Sequence, residues 1–373
     1  MGAAASSSST SARGNGIPAE VLGLHGLDAS VFGDASALAS VPVMPPPRMP
    51  VVYRAEYNVR FLGLEKLHPF DSCKYAKVVA RLERAGCVRG GEDGCYRPGR
   101  ASRAYLEDVH AREYLDSLRS SWTVARVTEL APLCILPGAL TSRYLLRNMQ
   151  FQVSGTLVAC ALALACASRV AVNVGGGMHH AHGLDGGGWC VYADIMLAIR
   201  ALRRSRGGRL RVMVVDTDAH QGNGVERDVM RLGDRDTWVL DVYNRANYPG
   251  DQAARGGIGT DVPLKPYTGD AEYLARLREA LAAATSAFGA PDLVIHNAGT
   301  DVLRTDPLGA LRVSADGILQ RDATVVTFFL ARGVPVAHLL SGGYAPESAD
   351  VIADSIIHLH GLVDHPPPAP PSP

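Results

Sequence analysis

Apolar residues along this chain fall into two alternating patterns. Short runs rich in β-branched residues, at Val51–Arg54, Val170–Val174, Arg211–Asp216, Thr237–Val242, Asp292–His296 and Pro335–Leu340, read as buried strands. Between them, apolar positions spaced three and four apart predict helices over 72–85, 105–119, 154–168, 193–204, 270–286, 315–332 and 347–360. Asp71 and Ser314 stand where helix-capping residues are expected. Strands that alternate with helices predict an α/β domain, with a parallel sheet covered by helices on both faces. Ligands in such sheets sit at the carboxyl ends of the strands, so polar clusters that follow the strands are where chemistry is expected.

The flanks break this pattern. Residues 1–48 lack sustained periodicity and end in Pro45-Pro46-Pro47, and 363–373 are largely proline, so an arm, a catalytic domain over 49–362 and a Pro-rich tail are expected. Within the arm, Gly2 with Ser6 fits a myristoylation pattern, and the Ser-rich, acid-poor start fits an organellar transit peptide; a plain Ala/Ser tail accounts for the same residues. The longest apolar run, Leu157–Ala167, is too short for a transmembrane segment and reads as a buried helix.

Charge and cysteine content narrow the function. Lys plus Arg and Asp plus Glu both number 37, which leaves no net field to hold nucleic acid or an anionic membrane. The seven cysteines contain no CxxC pair, which argues for reduced intracellular thiols and against a disulfide framework or a Cys-based zinc finger. No GxGxxG after a strand, no GxxxxGK[ST] and no GxSxG occurs, which removes the simple dinucleotide, phosphate-loop and serine-hydrolase readings.

The strand ends supply an alternative. Val212–Val215 runs into Asp216-Thr217-Asp218-Ala219-His220, and an extended backbone there would put Asp216, Asp218 and His220 on one face. Side-by-side carboxylates call for a cation. Asp301, after the strand that ends at His296, offers a third carboxylate, although taken alone it reads as a loop acid bonding backbone amides. Three ligands with an open position mark a catalytic metal site. The run Gly175-Gly176-Gly177-Met178-His179-His180 adds paired imidazoles for proton transfer. Tyr344, after Ser341-Gly342-Gly343, could aim a hydroxyl at a developing oxyanion or simply pack under its turn. His338 reads as a core residue, His110 and His358 as helical residues without partners, and His182 as a bystander.

Taken in order, the histidine run, Gly186-Gly187-Gly188-Trp189-Cys190, Asp216 to Gly224, Asn297-Ala298-Gly299-Thr300-Asp301 and Ser341 to Tyr344 resemble the zinc-dependent histone deacetylases over roughly 51–362. His220-Gln221-Gly222-Asn223-Gly224, where class I enzymes carry His-Gly-Asp-Gly, is similar to class IV, the histone deacetylase 11 type. So are Gly63 to Asp71 and Asp241 to Arg245. The resemblance implies a three-layer arginase-like fold with an eight-stranded parallel sheet. It implies one zinc ion (Zn2+) held by Asp218, His220 and Asp301, His180 as general base, and His179 as electrostatic partner or acid. Tyr344 would be the oxyanion donor, and Asn223 would stand where an Asp partner of His180 is usual. Asp216 would orient His179 and, with Asp241, bind a structural potassium ion (K+). Gly188, Trp189, Tyr248 and Leu308 would shape an acyl-lysine tunnel.

The implied substrates are acyl-lysine proteins such as histones, with long fatty-acyl groups favoured by class IV. The implied partners are chromatin complex subunits, and the implied location is the nucleus or cytoplasm. Competing readings are an acetylpolyamine or arginase-like small-molecule amidohydrolase and an inactive chromatin scaffold.

Overall fold

The computed structural model describes residues 49–61 and 63–364, so the 1–48 arm, Gly2 and Ser6 included, and residues 365–373 of the tail lie outside the described residues. Seven strands form one sheet: Val51–Val52 (β1), Val170–Asn173 (β2), Val212–Asp216 (β3), Thr237–Asn244 (β4), Thr260–Leu264 (β5), Leu293–Asn297 (β6) and Val336–Leu339 (β7). Their order is β1-β2-β7-β6-β3-β4-β5, and every pairing is parallel. β2, β3, β6 and β7 are buried throughout, which is why they appear in the sequence as unbroken apolar runs.

The expected eighth strand is absent among the described residues. Beyond β1 the sheet continues as a single bridge at Tyr96, whose N–H donates to the Val51 carbonyl (2.8 Å) and whose carbonyl accepts from the Tyr53 N–H (3.0 Å). Pro98, two residues on, has no N–H with which to extend that ladder. The sequence pattern missed β5, because Thr260-Asp261-Val262-Pro263-Leu264 carries an acid and a proline. Both are tolerated on an edge strand, and β5 is one.

Helices cover both faces. Lys74–Arg84 (α1), Arg147–Ala165 (α2), Asp194–Ser205 (α3), Asn223–Leu232 (α4), Asp270–Phe288 (α5), Ala315–Leu330 (α6) and Ser348–Asp364 (α7) are the longer ones. α2 packs on β1, β2 and β7 with α3 against it, α5 lies along β4 and β5, and α6 meets β7 with α7 outside it. The Ser314 hydroxyl caps α6 by accepting from the Gly317 N–H (3.0 Å). The 105–119 helix divides into Arg103–Leu106 and Arg112–Ser117. His110 lies in the bend between them and accepts the Ala193 N–H at Nε2 (2.9 Å), so it does have a partner. α4 was unpredicted because Gly222-Asn223-Gly224, which opens it, reads as a loop.

Gly138–Ala165 is one continuous helical stretch, longer than its apolar run implied, and apolar enough by length and composition to cross a bilayer. However, 78% of its most apolar window is buried inside the fold, where it forms the core helix.

Candidate active site

The carboxyl ends of β2, β3, β6 and β7 meet at one rim, and each carries one of the polar motifs. After β2 the chain turns through Gly176 and Gly177, both in the left-handed region (φ 71° and 81°). A Cβ on Gly177 would lie 2.3 Å from Asn297 Oδ1. The buried Asp194 carboxylate, at the start of α3, fixes this turn by accepting the Gly177 and Met178 N–H groups (both 2.8 Å). The turn delivers His179 and His180 over the end of β3, with ring centroids 4.1 Å apart.

Each imidazole has a distinct anchor. His179 Nδ1 donates to Asp216 Oδ2 (2.8 Å). Burial lowers the His179 pKa, but the Asp216 and Asp218 carboxylates outweigh that and raise it to about 9. His180 Nδ1 meets Asn223 Oδ1 (2.8 Å), while Asn223 Nδ2 donates to Asp251 Oδ2 (3.3 Å). Because the Asn223 amino group is committed to Asp251, its carbonyl must accept from His180, which leaves His180 Nε2 free as an acceptor. Arg227 in turn grips Asp251 through Nε (2.5 Å) and Nη2 (2.8 Å). Burial first, and the His179 and His220 charges next, hold His180 well below the ordinary histidine range.

Asp218, His220 and Asp301 come together as expected, although not by extended backbone. β3 ends at Asp216, and the chain then coils so that Asp216 accepts the Asp218 N–H (3.1 Å) and Asp218 accepts the His220 N–H (3.0 Å). His220 Nδ1 lies 3.1 Å from Asp218 Oδ1 and 2.8 Å from Asp301 Oδ2, and one ligand atom from each of the three falls within 4.8 Å of the others. The two carboxylates are almost fully buried; burial and the Asp218 charge push Asp301 up to about 8. A divalent cation would relieve that repulsion, and two carboxylates with one imidazole accept zinc, ferrous iron or cobalt. Gly342 leaves room for the group, since a Cβ there would lie 2.6 Å from Asp218 Oδ2 and 2.8 Å from Asp301 Oδ2.

Two buried cations brace this rim, and no sequence pattern marked either. Arg321 on α6 is fully buried; its Nη1 donates to the carbonyls of Thr217 (3.2 Å) and Gly299 (2.5 Å), and its Nη2 to that of Ala298 (3.2 Å). One guanidinium therefore ties the loop carrying Asp218 to the loop carrying Asp301. Asp322 balances its charge through Arg321 Nε (2.7 Å) and accepts from the Ser355 hydroxyl (2.5 Å). Lys74 on α1 donates to the carbonyls of Ser341 (3.1 Å) and Gly342 (3.0 Å), below Tyr344. Burial, only partly offset by Asp301 and Asp218, brings its pKa down to about 8. His296, Asp322 and His338 form a second cluster of donor atoms in the core, but Arg321 and Ser355 hold its carboxylate and the two imidazoles meet at 3.2 Å. His338 is thus a satisfied core residue, as its apolar setting implied.

A narrow slot of about 40 Å3 reaches this centre at Asp218, lined by Phe70, Met149, Gly188, Trp189, His180 and Tyr344 among others. Trp189 holds a left-handed φ of 67°, rare for so bulky a residue, and packs on His68 (4.7 Å) and Phe70 (5.7 Å). Gly188 must lack a side chain here, since a Cβ would lie 2.7 Å from His180 Cδ2. Tyr248 stands edge-on to His180 (5.0 Å) with 44% exposure, and Leu308 is 38% exposed, so both sit at the rim and not in the slot itself. Tyr344 faces the His220 ring (6.1 Å); burial first, then Asp218 and Asp301, hold its phenol well above the usual range. His68 and Phe70 escaped the sequence reading of the site because they precede α1 in a loop without strand or helix periodicity.

Asp216 and Asp241 flank Gly222, where the potassium ion was expected. Asp216 is taken up by His179, the Asn297 amide (3.0 Å) and the Asp218 N–H. Asp241 Oδ2 accepts from the Gly222 N–H (2.9 Å), while Asp241 Oδ1 and Glu226 Oε1 are buried without a donor.

A parallel sheet with this rim defines a hydrolase of the deacetylase type. The histone deacetylase domain family matches residues 68–359, and the chain belongs to that family. It is 44% identical over 324 residues to histone deacetylase 2 of Arabidopsis thaliana, covering 86% of this chain and 81% of that one. It is 27% identical to the acetoin utilization protein AcuC of Bacillus subtilis, covering 69% of this chain and 67% of that one. A crystal structure of the HDA15 HD domain superposes with a TM-score of 0.69, covering 86% of this chain and 91% of that one; at 20% identity it speaks to the fold alone.

Proposed function

We propose that this protein is a zinc-dependent lysine deacylase of class IV type, acting on N6-acyl-lysine in proteins. The observation that carries the reading is the meeting of Asp218, His220 and Asp301 beside two imidazoles with separate anchors. Asp218, His220 and Asp301 would hold the ion, and when bound it supplies an acidified water and a polarised amide carbonyl.

The chain's own groups cover the remaining demands. The acyl-lysine stem would pass Gly188, Trp189 and Tyr248 at the mouth on its way to Asp218 and Tyr344. His180 Nε2, the free acceptor, takes the proton of the attacking water while Asn223 keeps the ring in the required tautomer. The Tyr344 hydroxyl, held protonated by its surroundings, donates to the carbonyl oxygen as it becomes tetrahedral. His179, kept cationic by Asp216, offsets the growing negative charge. The C–N bond then breaks as the imidazole pair returns a proton to the departing lysine amine, leaving a carboxylate.

Asn223 in place of a carboxylate supports class IV, and with it a preference for long fatty-acyl groups. Histones as substrates, chromatin complex subunits as partners and placement in nucleus or cytoplasm belong to the same reading. A proton shared by Glu226 and Asp241 would satisfy their donor-free oxygens, and no step of this mechanism requires potassium. The test is hydrolysis of acetyl-lysine peptide, myristoyl-lysine peptide and acetylated polyamine by the purified chain, with metal content measured alongside. Turnover of the peptides at about one zinc per chain is expected, and turnover of the polyamine alone overturns the reading.

A further inference from the structure

A second cavity, of about 670 Å3, opens between the two short helices at 103–117 and the start of α2, and it shares no lining residue with the active-site slot. Arg100, Arg103, Arg119, Arg143 and Arg147 line it, and no Asp or Glu does. Arg103 is balanced by Glu107 (2.7 Å) and Asp116 (3.1 Å), and Arg119 reaches Asp116 only at 3.8 Å. Among the described residues Arg100, Arg143 and Arg147 form no ion pair; Arg143 and Arg147 lie over the Tyr144 and Phe151 rings instead (5.7 and 6.0 Å). Three exposed guanidinium groups without an ion pair line one mouth, and their summed positive potential there attracts an anion.

The backbone is unusual at the same place. Ser142–Leu146 is a π-helical turn that leads into α2, and Ser142, Arg143 and Leu146 from it line the cavity. Such turns forgo regular helical bonding and concentrate at functional sites. The base of the cavity is not wholly polar either. Tyr192 is buried there and receives the Gln150 side-chain amide (3.3 Å), while Leu106, Leu115, Leu118 and Leu146 form an apolar wall.

We propose that this cavity binds a soluble organic di- or triphosphate, with Arg100, Arg143 and Arg147 on the phosphates and the leucine wall against the organic part. Guanidinium forks match phosphate oxygens in pairs, and the volume is that of a small-ligand site. The buried leucine wall behind the arginines favours a free phosphate compound, whose organic part can reach it, over a lipid headgroup of the same chemistry.

The full chain would be titrated calorimetrically with ADP and with inorganic tripolyphosphate, and floated with vesicles containing a bisphosphorylated lipid. Saturable binding of one ADP per chain that weakens with added salt is expected. Arg143→Gln/Arg147→Gln should weaken it at least about tenfold. Arg143→Lys/Arg147→Lys should retain part of it, and Arg276→Gln/Arg278→Gln on α5 should leave it unchanged. Melting curves like that of the parent chain would separate lost binding from lost folding, and Arg100→Gln repeats the test should the double variant fail to fold. Absence of saturable ADP binding, an equal loss in the α5 variant, or binding to vesicles alone overturns the proposal.

Discussion

The division of labour between the two histidines rests on what each Nδ1 touches. His179 faces a carboxylate, whereas His180 faces an amide oxygen with Asp251 one residue further out. His180 must be neutral to take a proton, so activity falls on the acid side as it protonates. Replacing Asn223 by Asp puts a negative charge on the ring and raises its pKa, so the acidic limb of the kcat/KM profile should move to higher pH. An unmoved limb would show that Asn223 does not set the basicity of His180. Tyr344→Phe should keep its metal and its fold yet lose about 100- to 1000-fold in kcat, the usual cost of removing an oxyanion donor. Near-normal turnover of that variant would remove Tyr344 from the chemistry.

At the scale of elements, the strand ends explain what was legible. β2, β3, β6 and β7 are unbroken apolar runs, and each stops at a polar motif, so both the sheet and the residues at its rim could be read from the chain. What stayed hidden depends on pairing in three dimensions. β5 carries a proline that only an edge tolerates, the eighth strand shrank to one bridge at Tyr96, and from a loop far away in sequence Phe70 joins the slot and His68 backs its Trp189 wall. Arg321 is the clearest case: within the α6 pattern it is one charged residue among several, yet it clamps the Thr217, Ala298 and Gly299 carbonyls. Arg321→Lys keeps the charge but loses the fork, so the ligand loops should part and zinc should leave to a chelator at least about tenfold faster. Arg321→Ala strands Asp322 and should also lower stability by about 3–5 kcal/mol in chemical denaturation. Unchanged zinc release from Arg321→Lys would reduce the clamp to simple packing.

For the whole molecule, a buried acidic pair just behind the rim should set how stability varies with pH. Burial, with the Asp216 charge adding to it, raises Glu226 to about 7, and Asp241 is likewise raised, first by burial and then by Asp216 and Glu226. Between the ordinary Glu value and about 7, the folded chain keeps a proton that the unfolded chain has released. Stability from this pair is therefore full at acid pH and declines as pH rises through about 7. The decline is on the order of 3–4 kcal/mol at most, from the size of the Glu226 shift. Glu226→Gln would put an N–H where Oε1 now lacks a donor, so that Asp241 Oδ1 gains one without a shared proton. In metal-loaded protein, where the ligand carboxylates do not titrate, the unfolding free energy of the parent chain should fall more steeply from pH 5 to pH 8 than that of Glu226→Gln, in which Asp241 keeps only the burial and Asp216 contributions to its shift. Parallel curves for the two proteins would mean that the pair carries no shared proton, and a cation between Asp241 and Glu226 would then be the better account of those two oxygens.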